Sequence, residues 1–331
     1  TGLLLLDVPT EYGGGGGDFR HECVLYQELA RRALSGFGQG VHSICAHYVL
    51  NYGTEAHRQR WLPRMASGDL IGAIAMTEPG AGSDLQGIRT RAVREGDHYV
   101  INGSKIFITN GGSADLLMLV VRTNPDDRKK GLSILMVETQ GLEGYRVGRV
   151  LDKMGMPAQD TAELFFENVR VPADCLLGGE EGRGMYQMMG DLPYERATIA
   201  VCGVAAMEGA VAETARYIKE RKAFGKAIGE FQNSRFKLAE VATITRVARV
   251  FVDRCIQQVA DGTLDTGFGV SGWVLNLFGD SLPLAGMEVT ADGKILVVGS
   301  RNFMEDVRIA RFLANGSPDP AFGTAGIAIL A

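Results

Sequence analysis

The segment that decides the fold reads Ile74-Ala-Met-Thr-Glu-Pro-Gly-Ala-Gly-Ser-Asp84, an apolar run closed by a glycine-rich turn. Glycines let backbone N–H groups approach a ligand closely, and the hydroxyls of Thr77 and Ser83 suit a polar heterocycle or a phosphate. A Walker phosphate loop is excluded because no Gly-Lys-Ser/Thr follows, and a dinucleotide-binding turn is excluded because the surroundings are not a βαβ unit. Taken alone, the pattern fits an ordinary structural turn better than a ligand site.

The sequence changes character around this turn. From Asp18 to about Gly68, apolar residues recur at helical spacing and predict two or three helices. From Leu70 to about Leu177, short apolar runs alternate with turn residues and predict a compact β domain. Within it, Asn102-Gly103 separates two strand-like runs and predicts a tight hairpin, because this pair tolerates the positive φ of a type I′ turn.

Helical character returns after the β region. Asp191 is placed to cap a helix that has Pro193 in its first turn and that continues to Ile218. A second helix follows Gln232, and its apolar residues are spaced three or four apart, which is typical of a packed bundle helix. The predicted order of elements is therefore α, β, α.

A glycine-rich tail with strand-like runs follows Asp261. The motif at 260–272 recurs at 314–326, where Asp265 and Phe268 reappear as Asp319 and Phe322 with a constant offset of 54 residues. Repeats of such a period are typical of β-propeller blades or stacked arrays. We therefore expect a short β-repeat-like tail.

The composition is that of a soluble globular protein, with 46% hydrophobic and 22% charged residues among 331. A net charge of −5 leaves no basic surface for nucleic acid, which is excluded as a partner. Five cysteines without CxxC spacing argue against a disulfide framework or a zinc site and favour a reducing compartment. No signal peptide or membrane-spanning run is recognised, so we expect a cytoplasmic bacterial protein without membrane insertion.

A second segment strengthens the ligand interpretation of the first. Twenty-four residues after Ser83, an aromatic ring and a hydroxyl alternate in Lys105-Ile-Phe-Ile-Thr-Asn-Gly-Gly112. Together the two segments resemble the middle domain of the acyl-CoA dehydrogenase family in their residue types and in their spacing. The resemblance implies that Ser83 also lies near the CoA part of an acyl-CoA substrate. It further implies an FAD wall formed by Ile74, Ala75, Met76, Thr77, Gly82, Ser83, Phe107, Ile108 and Thr109.

The resemblance continues through Arg221-Lys-Ala-Phe-Gly225 to Gln232. It implies that Arg221, Phe224 and Gln232 reach FAD across a subunit interface, so that the chain forms a homo-oligomer, a dimer or a homotetramer. Arginine suits this place because its planar guanidinium binds pyrophosphate oxygens in pairs. An exposed Arg at a helix end without a ligand is the alternative.

Glu195 stands beside Arg196 near a predicted helix start, where a solvated charge pair favoured by the helix dipole is the ordinary interpretation. The triplet Tyr194-Glu-Arg196 resembles the long-chain and isovaleryl members of the family, which take their catalytic base from this helix. The resemblance implies that Glu195 is the base and that Tyr186, Tyr194 and Arg196 contact the substrate. A desolvated carboxylate with a raised pKa suits the removal of a weakly acidic thioester α-proton.

The family resemblance implies an α+β fold in four parts. An incomplete N-terminal α domain at 1–69 precedes a flavin-binding middle β-barrel domain at 70–178. A truncated C-terminal helical bundle at 179–263 is followed by the β-repeat-like tail at 264–331. The sequence of the tail resembles bacterial delta-sixty-type β-propeller repeats. It does not resemble the further bundle helices and the late loop that family members have at this place.

The implied activity is FAD-dependent α,β-dehydrogenation of acyl-CoA thioesters in fatty acid β-oxidation, with electrons passed to an electron-transferring flavoprotein. Two alternatives stay open. One is a flavin monooxygenase or nitroalkane oxidase on the same fold, which the presence of Glu195 disfavours. The other is a non-catalytic hybrid chain whose β-repeat tail acts as an interaction module.

Overall fold

The computed structural model describes residues 2–34, 36–127, 131–262, 284–289, 294–301, 306–313, 317, 319–322 and 327–330. The chain divides into two compact units, Thr1–Gln257 and Gln258–Ala331.

Three helices open the first unit, which confirms the helical prediction for this region: α1 Phe19–Arg31, α2 Gln39–Tyr52 and α3 Glu55–Ser67. The side chains of Asp18 and Thr54 cap α1 and α3, because they accept hydrogen bonds from the backbone N–H groups of Arg20 and His57. Short 3-10 turns lie at Thr10–Tyr12, Leu85–Gly87, Ala173–Cys175 and Ile228–Glu230.

A seven-stranded sheet follows: β1 Gly72–Ala75, β2 Arg91–Glu95, β3 His98–Thr109, β4 Leu116–Arg122, β5 Leu132–Glu138, β6 Tyr145–Val150 and β7 Thr161–Pro172. The strand order is β1-β4-β2-β3-β7-β6, with β5 also paired to β4. β1 and β2 run parallel to β4, whereas the other pairs are antiparallel. The β domain predicted from the sequence is confirmed.

β4 shows why the sheet sequence reads as continuous apolar runs. Leu116 and Met118 belong to a core that includes Trp61 of α3, whereas the alternating Leu117 and Leu119 belong to a second core on the opposite face. Because successive side chains of a strand point to opposite faces, a strand covered on both sides needs apolar residues at every position. The first core joins the N-terminal helices to the sheet.

The prediction of a hairpin turn at Asn102-Gly103 is wrong. β3 runs without interruption through both residues, and the turn between β2 and β3 lies instead at Gly96-Asp97. Gly103 occupies an irregularity of β3 where the backbone meets Thr90: a Cβ on Gly103 would lie 2.6 Å from Thr90 Oγ1 and 2.7 Å from Thr90 Cα. This glycine allows a close approach between two segments rather than a turn.

Two long helices follow, α4 Gly184–Glu220 and α5 Gln232–Ala260, joined by the short strands β8 Lys222–Ala223 and β9 Lys226–Ala227. The prediction that Asp191 caps the first of them is wrong, because α4 already begins at Gly184 and Pro193 lies inside it. A proline at that place removes one helical hydrogen bond. Asp191 is instead buried and accepts a hydrogen bond from Asn51 Nδ2 at 2.9 Å.

α4 is also, among the described helices, the one that is long and apolar enough to cross a membrane by length and composition. The expectation that no run of the chain reaches that length is therefore wrong by this criterion. The core helix of a soluble protein passes the same test, so the property alone assigns no membrane role.

The second unit contains an antiparallel meander of four strands: β10 Leu284–Val289, β11 Ile295–Arg301, β12 Asp306–Phe312 and β13 Ile327–Leu330. Arg311 Nε donates to Asp319 Oδ2 at 2.8 Å beside this sheet. The strands agree with the strand-like character of the tail. The predicted junction near residue 264 and most positions of the repeated motif lie outside the described residues.

A polar cluster lies buried between α1 and α2. Glu22 of α1 is fully buried and accepts hydrogen bonds from Gln39 Nε2 at 2.7 Å and from the Ser43 hydroxyl. Burial raises the pKa of Glu22 to about 7. In the unfolded chain this carboxyl ionises near pH 4.5, so between the two values the folded state binds more protons and stability falls as pH rises.

We therefore expect the free energy of unfolding of the wild type to fall by up to about 3 kcal/mol between pH 4.5 and pH 8 because of Glu22. Glu22→Gln lacks the ionisable group and should not show this fall. Urea unfolding of both proteins across this range measures it. Glu143→Gln, a change at an exposed glutamate in a turn, is the control and should keep the wild-type pH dependence. A Glu22→Gln curve parallel to the wild-type curve would contradict the assignment of the buried proton to Glu22.

Candidate active site

The two sheet segments predicted to face a flavin are joined by hydrogen bonds. The Ile106 N–H donates to the Thr77 carbonyl oxygen at 2.9 Å. Lys105 is almost fully buried, and its Nζ donates to the Met76 carbonyl oxygen and to Glu78 Oε1, each at 2.9 Å. Glu78 belongs to the glycine-rich segment, but its partner Lys105 is 27 residues away, so no local pattern of residues indicates this pair. The pair fixes the start of the turn against β3.

Phe107 presents an exposed ring beside this junction. Its side chain and backbone are 63% exposed, and its φ of 61° lies in the left-handed region, where aromatic residues are strained. The pairing of β3 with β7 shifts register between Lys105 and Ile108, so Phe107 lies in an irregular part of the strand. An exposed ring held by a strained backbone is a surface that a planar aromatic ligand can cover.

The other residues of the predicted FAD wall differ in exposure. Ala75 and Ile108 are buried in the sheet core, so only their backbone groups are available to a ligand. Gly82 and Ser83 are exposed. Partly buried side chains follow along both segments: Ile74, Met76, Thr77 and Thr109. The structure thus brings the two segments together and leaves their polar groups accessible.

Arg221, Phe224 and Gln232 lie together at the β8–β9 hairpin and the start of α5. All three are exposed, Phe224 to 95% with a φ of 53°, and the Phe224 ring stands edge-on to Phe231 at 6.2 Å between centroids. Among the described residues, no hydrogen bond joins this hairpin to the two sheet segments. A contact of these three residues with the flavin of another subunit stays a prediction.

Glu195 is half-buried on α4, facing α2. The Tyr48 hydroxyl of α2 donates to Glu195 Oε1 at 2.9 Å, and Tyr48 itself is fully buried. Burial raises the pKa of Glu195, and the nearby Asp191 carboxyl adds to the rise, while Tyr48 and Arg196 oppose it. A solvated charge pair does not describe this carboxylate. It has the desolvated environment that a base acting near neutral pH requires.

The three residues predicted to contact substrate lie in different surroundings. Arg196 and Tyr186 are exposed, and the guanidinium of Arg183 lies 4.7 Å from the centroid of the Tyr186 ring. The structure does not bring the Tyr194 side chain to Glu195: its hydroxyl donates to Asp7 Oδ2 at 3.0 Å and its ring stacks on His47 at 4.0 Å between centroids. Successive residues of a helix point in different directions, so Tyr194 faces the protein interior.

Sequence reasoning missed the groups that hold Glu195. Asp191 lies four residues earlier on the same helix, and this spacing places both carboxyl groups on one face, a signal that was readable. Tyr48 and Asn51 come from α2, 147 and 140 residues away from their partners Glu195 and Asp191. Only the packing of α2 against α4 reveals them.

Two clefts are found in the described part of the chain. One, of about 370 Å³, is lined by residues that include Tyr145, Arg146 and Phe165; the other, of about 300 Å³, is lined by residues that include Gln39 and Asn110. Neither cleft is lined by Phe107 or Glu195.

Family models match three consecutive parts of the chain: the acyl-CoA dehydrogenase N-terminal domain at 1–69, its middle domain at 73–169 and its C-terminal domain at 182–315. The last match crosses residue 263, where the sequence resemblance was expected to end. The comparisons do not support the β-propeller resemblance of the tail. The domain boundaries drawn from the sequence stay predictions.

Named relatives align with most of this chain. The mitochondrial long-chain specific acyl-CoA dehydrogenase of Mus musculus is 48% identical over 80% of this chain and 62% of its own length. The mitochondrial isovaleryl-CoA dehydrogenase of Pongo abelii is 34% identical over 94% of this chain and 73% of its own. The crystal structure of an acyl-CoA dehydrogenase from Geobacillus kaustophilus aligns with a TM-score of 0.77 and 46% identity, covering 80% of this chain and 70% of that one. The chain thus spans about 62% of the length of its long-chain relatives.

Proposed function

Because this chain belongs to the acyl-CoA dehydrogenase family, we propose that it catalyses the FAD-dependent α,β-dehydrogenation of an acyl-CoA thioester. The observation that carries the proposal is Glu195, a half-buried carboxylate with a raised pKa that Tyr48 holds in place. Such a group is suited to take the α-proton of a thioester, because burial raises its pKa and so makes it a stronger base than an exposed carboxylate.

FAD is the proposed cofactor, and the accessible groups of the two sheet segments fit it. Phe107 offers an exposed ring to a planar heterocycle, and Thr77 and Ser83 add hydroxyl groups beside it. Arg221 and Gln232 offer an exposed guanidinium and an amide, which suit a pyrophosphate and a nucleotide. When bound, FAD supplies the hydride acceptor for the β-carbon of the substrate.

The substrate is proposed to lie between the base and the FAD wall. Glu195 removes the α-proton on one face of the Cα–Cβ bond and holds it on a carboxylate oxygen. Ser83 is proposed to bind the CoA portion, and the exposed Tyr186 and Arg196 to bind the thioester near the base. The Tyr194 hydroxyl would have to break its hydrogen bond to Asp7 in order to contact the substrate. We therefore propose that Tyr194 anchors this turn of α4 instead.

The proposed partners follow from the same family assignment. An electron-transferring flavoprotein is proposed to accept the electrons, and fatty acid β-oxidation is the proposed context. A homo-oligomer, a dimer or a tetramer, is supported by exposed apolar side chains on α5 such as Val247, Val250 and Phe251. A cytoplasmic location in a bacterium is also proposed; the five free cysteines fit a reducing compartment, because cytosolic thiols stay reduced.

The test is an anaerobic titration of the FAD-loaded protein with a series of acyl-CoA esters of increasing chain length, followed by the absorbance of the oxidised flavin. We expect bleaching with at least one ester, and reoxidation when an electron-transferring flavoprotein is added. Steady-state oxygen uptake without that partner would favour the monooxygenase or oxidase alternative. A flavin that no ester bleaches would favour the non-catalytic alternative and overturn the proposal.

A further inference from the structure

We propose that Tyr48 and Asp191 are positioning residues for the Glu195 carboxylate and that they act on its ionisation in opposite senses. The inference rests on the proposed function of Glu195 as the base. Neither residue was assigned to this site from the sequence: Asp191 was expected to cap a helix, and Tyr48 belongs to a helix in the N-terminal part of the chain.

Tyr48 is a rigid hydrogen-bond donor. Its ring is fully buried in the core that joins α2 to the sheet, and its hydroxyl lies 2.9 Å from Glu195 Oε1. Turning the hydroxyl away from Glu195 would leave a buried polar group unpaired, which costs free energy. The hydroxyl therefore fixes one carboxylate oxygen, and because it donates to the charged form, it favours ionisation of Glu195.

Asp191 acts from the same helix as Glu195. It lies one turn earlier on the same face, is buried, and is held by Asn51 Nδ2 at 2.9 Å from its Oδ1. A second carboxylate one helical turn away on the same face disfavours a negative charge on Glu195 and raises its pKa. Asn51 fixes the side chain, so the repulsion acts from a constant position.

The charged and titratable groups around Glu195 come from the two packed helices. From α2, Tyr48 faces Glu195, while His47 and Tyr52 act on Asp191. From α4, Asp191 opposes the charge on Glu195 and Arg196 favours it. Burial has the largest effect on the pKa of Glu195 and raises it; Tyr48 and then Asp191 follow with opposite signs, and the exposed, solvent-screened Arg196 has the smallest effect.

The experiment compares Tyr48→Phe with Asp191→Asn in the FAD-loaded protein. Infrared difference spectra recorded against pH follow the protonated carboxyl band that disappears in Glu195→Gln. We expect the midpoint of this band to rise by about one pH unit in Tyr48→Phe, which loses a donor to the charged form, and to fall by about one unit in Asp191→Asn, which loses a like charge. The acid limb of the pH profile for flavin reduction should move in the same two directions, with the rate of Tyr48→Phe recovering at high pH.

Tyr99→Phe is the matched control, because Tyr99 is also fully buried and donates to a glutamate, Glu181, at 2.6 Å. It should leave the Glu195 band at the wild-type midpoint. Midpoints that stay in place, or that move in the same direction in both variants, overturn the inference. The infrared titration needs no turnover, so this outcome is separate from a failure of the proposed function, which shows as wild-type flavin that no acyl-CoA reduces.

Discussion

Replacing Glu195 with glutamine is expected to lower the rate of flavin reduction by an acyl-CoA by a factor of about 10²–10⁴. Glutamine keeps the size of the side chain and can accept the hydrogen bond from Tyr48, but it cannot take a proton from the α-carbon. Because the predicted FAD wall lies on the two sheet segments and Glu195 lies on α4, the variant should still bind FAD. Anaerobic stopped-flow absorbance measures the rate, and the flavin spectrum of the purified variant measures cofactor content.

Glu213→Gln is the control for this change. Glu213 lies on the same helix, its side chain is 71% exposed, and it pairs with Arg216 at the surface. It should keep the wild-type rate. A Glu195→Gln variant with near-normal flavin reduction would show that another group is the base.

The parts of the fold that the sequence predicted are those with local signals. The three helices before Gly68 follow from apolar residues at helical spacing, and the β region after it follows from short apolar runs separated by turn residues. The segments around Thr77 and Phe107 were recognisable as a ligand site because their residue types and spacing match a family, although neither segment alone separates a ligand site from a structural turn.

The errors and omissions share a physical cause, which is contact between residues distant in sequence. Gly103 had the sequence context of a turn, but glycine is needed there because a side chain would collide with Thr90, which is distant in sequence. Asp191 had the context of a helix cap, but packing against α2 extends α4 through Pro193 and buries the carboxyl. In both places tertiary contacts override a local preference, and the neighbouring residues in the sequence do not indicate these contacts.

Lys105→Met is expected to cost about 3–5 kcal/mol of unfolding free energy, because it leaves the buried Glu78 carboxylate without its cation. The Lys105 side chain is fully buried and Glu78 is 7% exposed, and water cannot replace the lost partner easily. Glu78 keeps hydrogen bonds from the backbone N–H groups of Arg89 and Thr90, at 2.7 Å and 2.8 Å, so it stays in place as an uncompensated charge. Guanidinium unfolding of the FAD-free protein measures the loss.

The same change tests how the predicted flavin wall is built. Lys105 Nζ also holds the Met76 carbonyl oxygen, so its loss frees the backbone before Thr77 and should weaken FAD binding, measured by flavin fluorescence. Lys237→Met removes the cation of an exposed Lys–Glu pair with Glu240 and should leave both the free energy of unfolding and the FAD affinity close to the wild-type values. The double change Lys105→Met with Glu78→Leu should recover part of the stability, because no buried charge is then left unpaired, but not the FAD affinity. Equal small losses for the buried and the exposed lysine would show that the Lys105–Glu78 pair does not hold this turn.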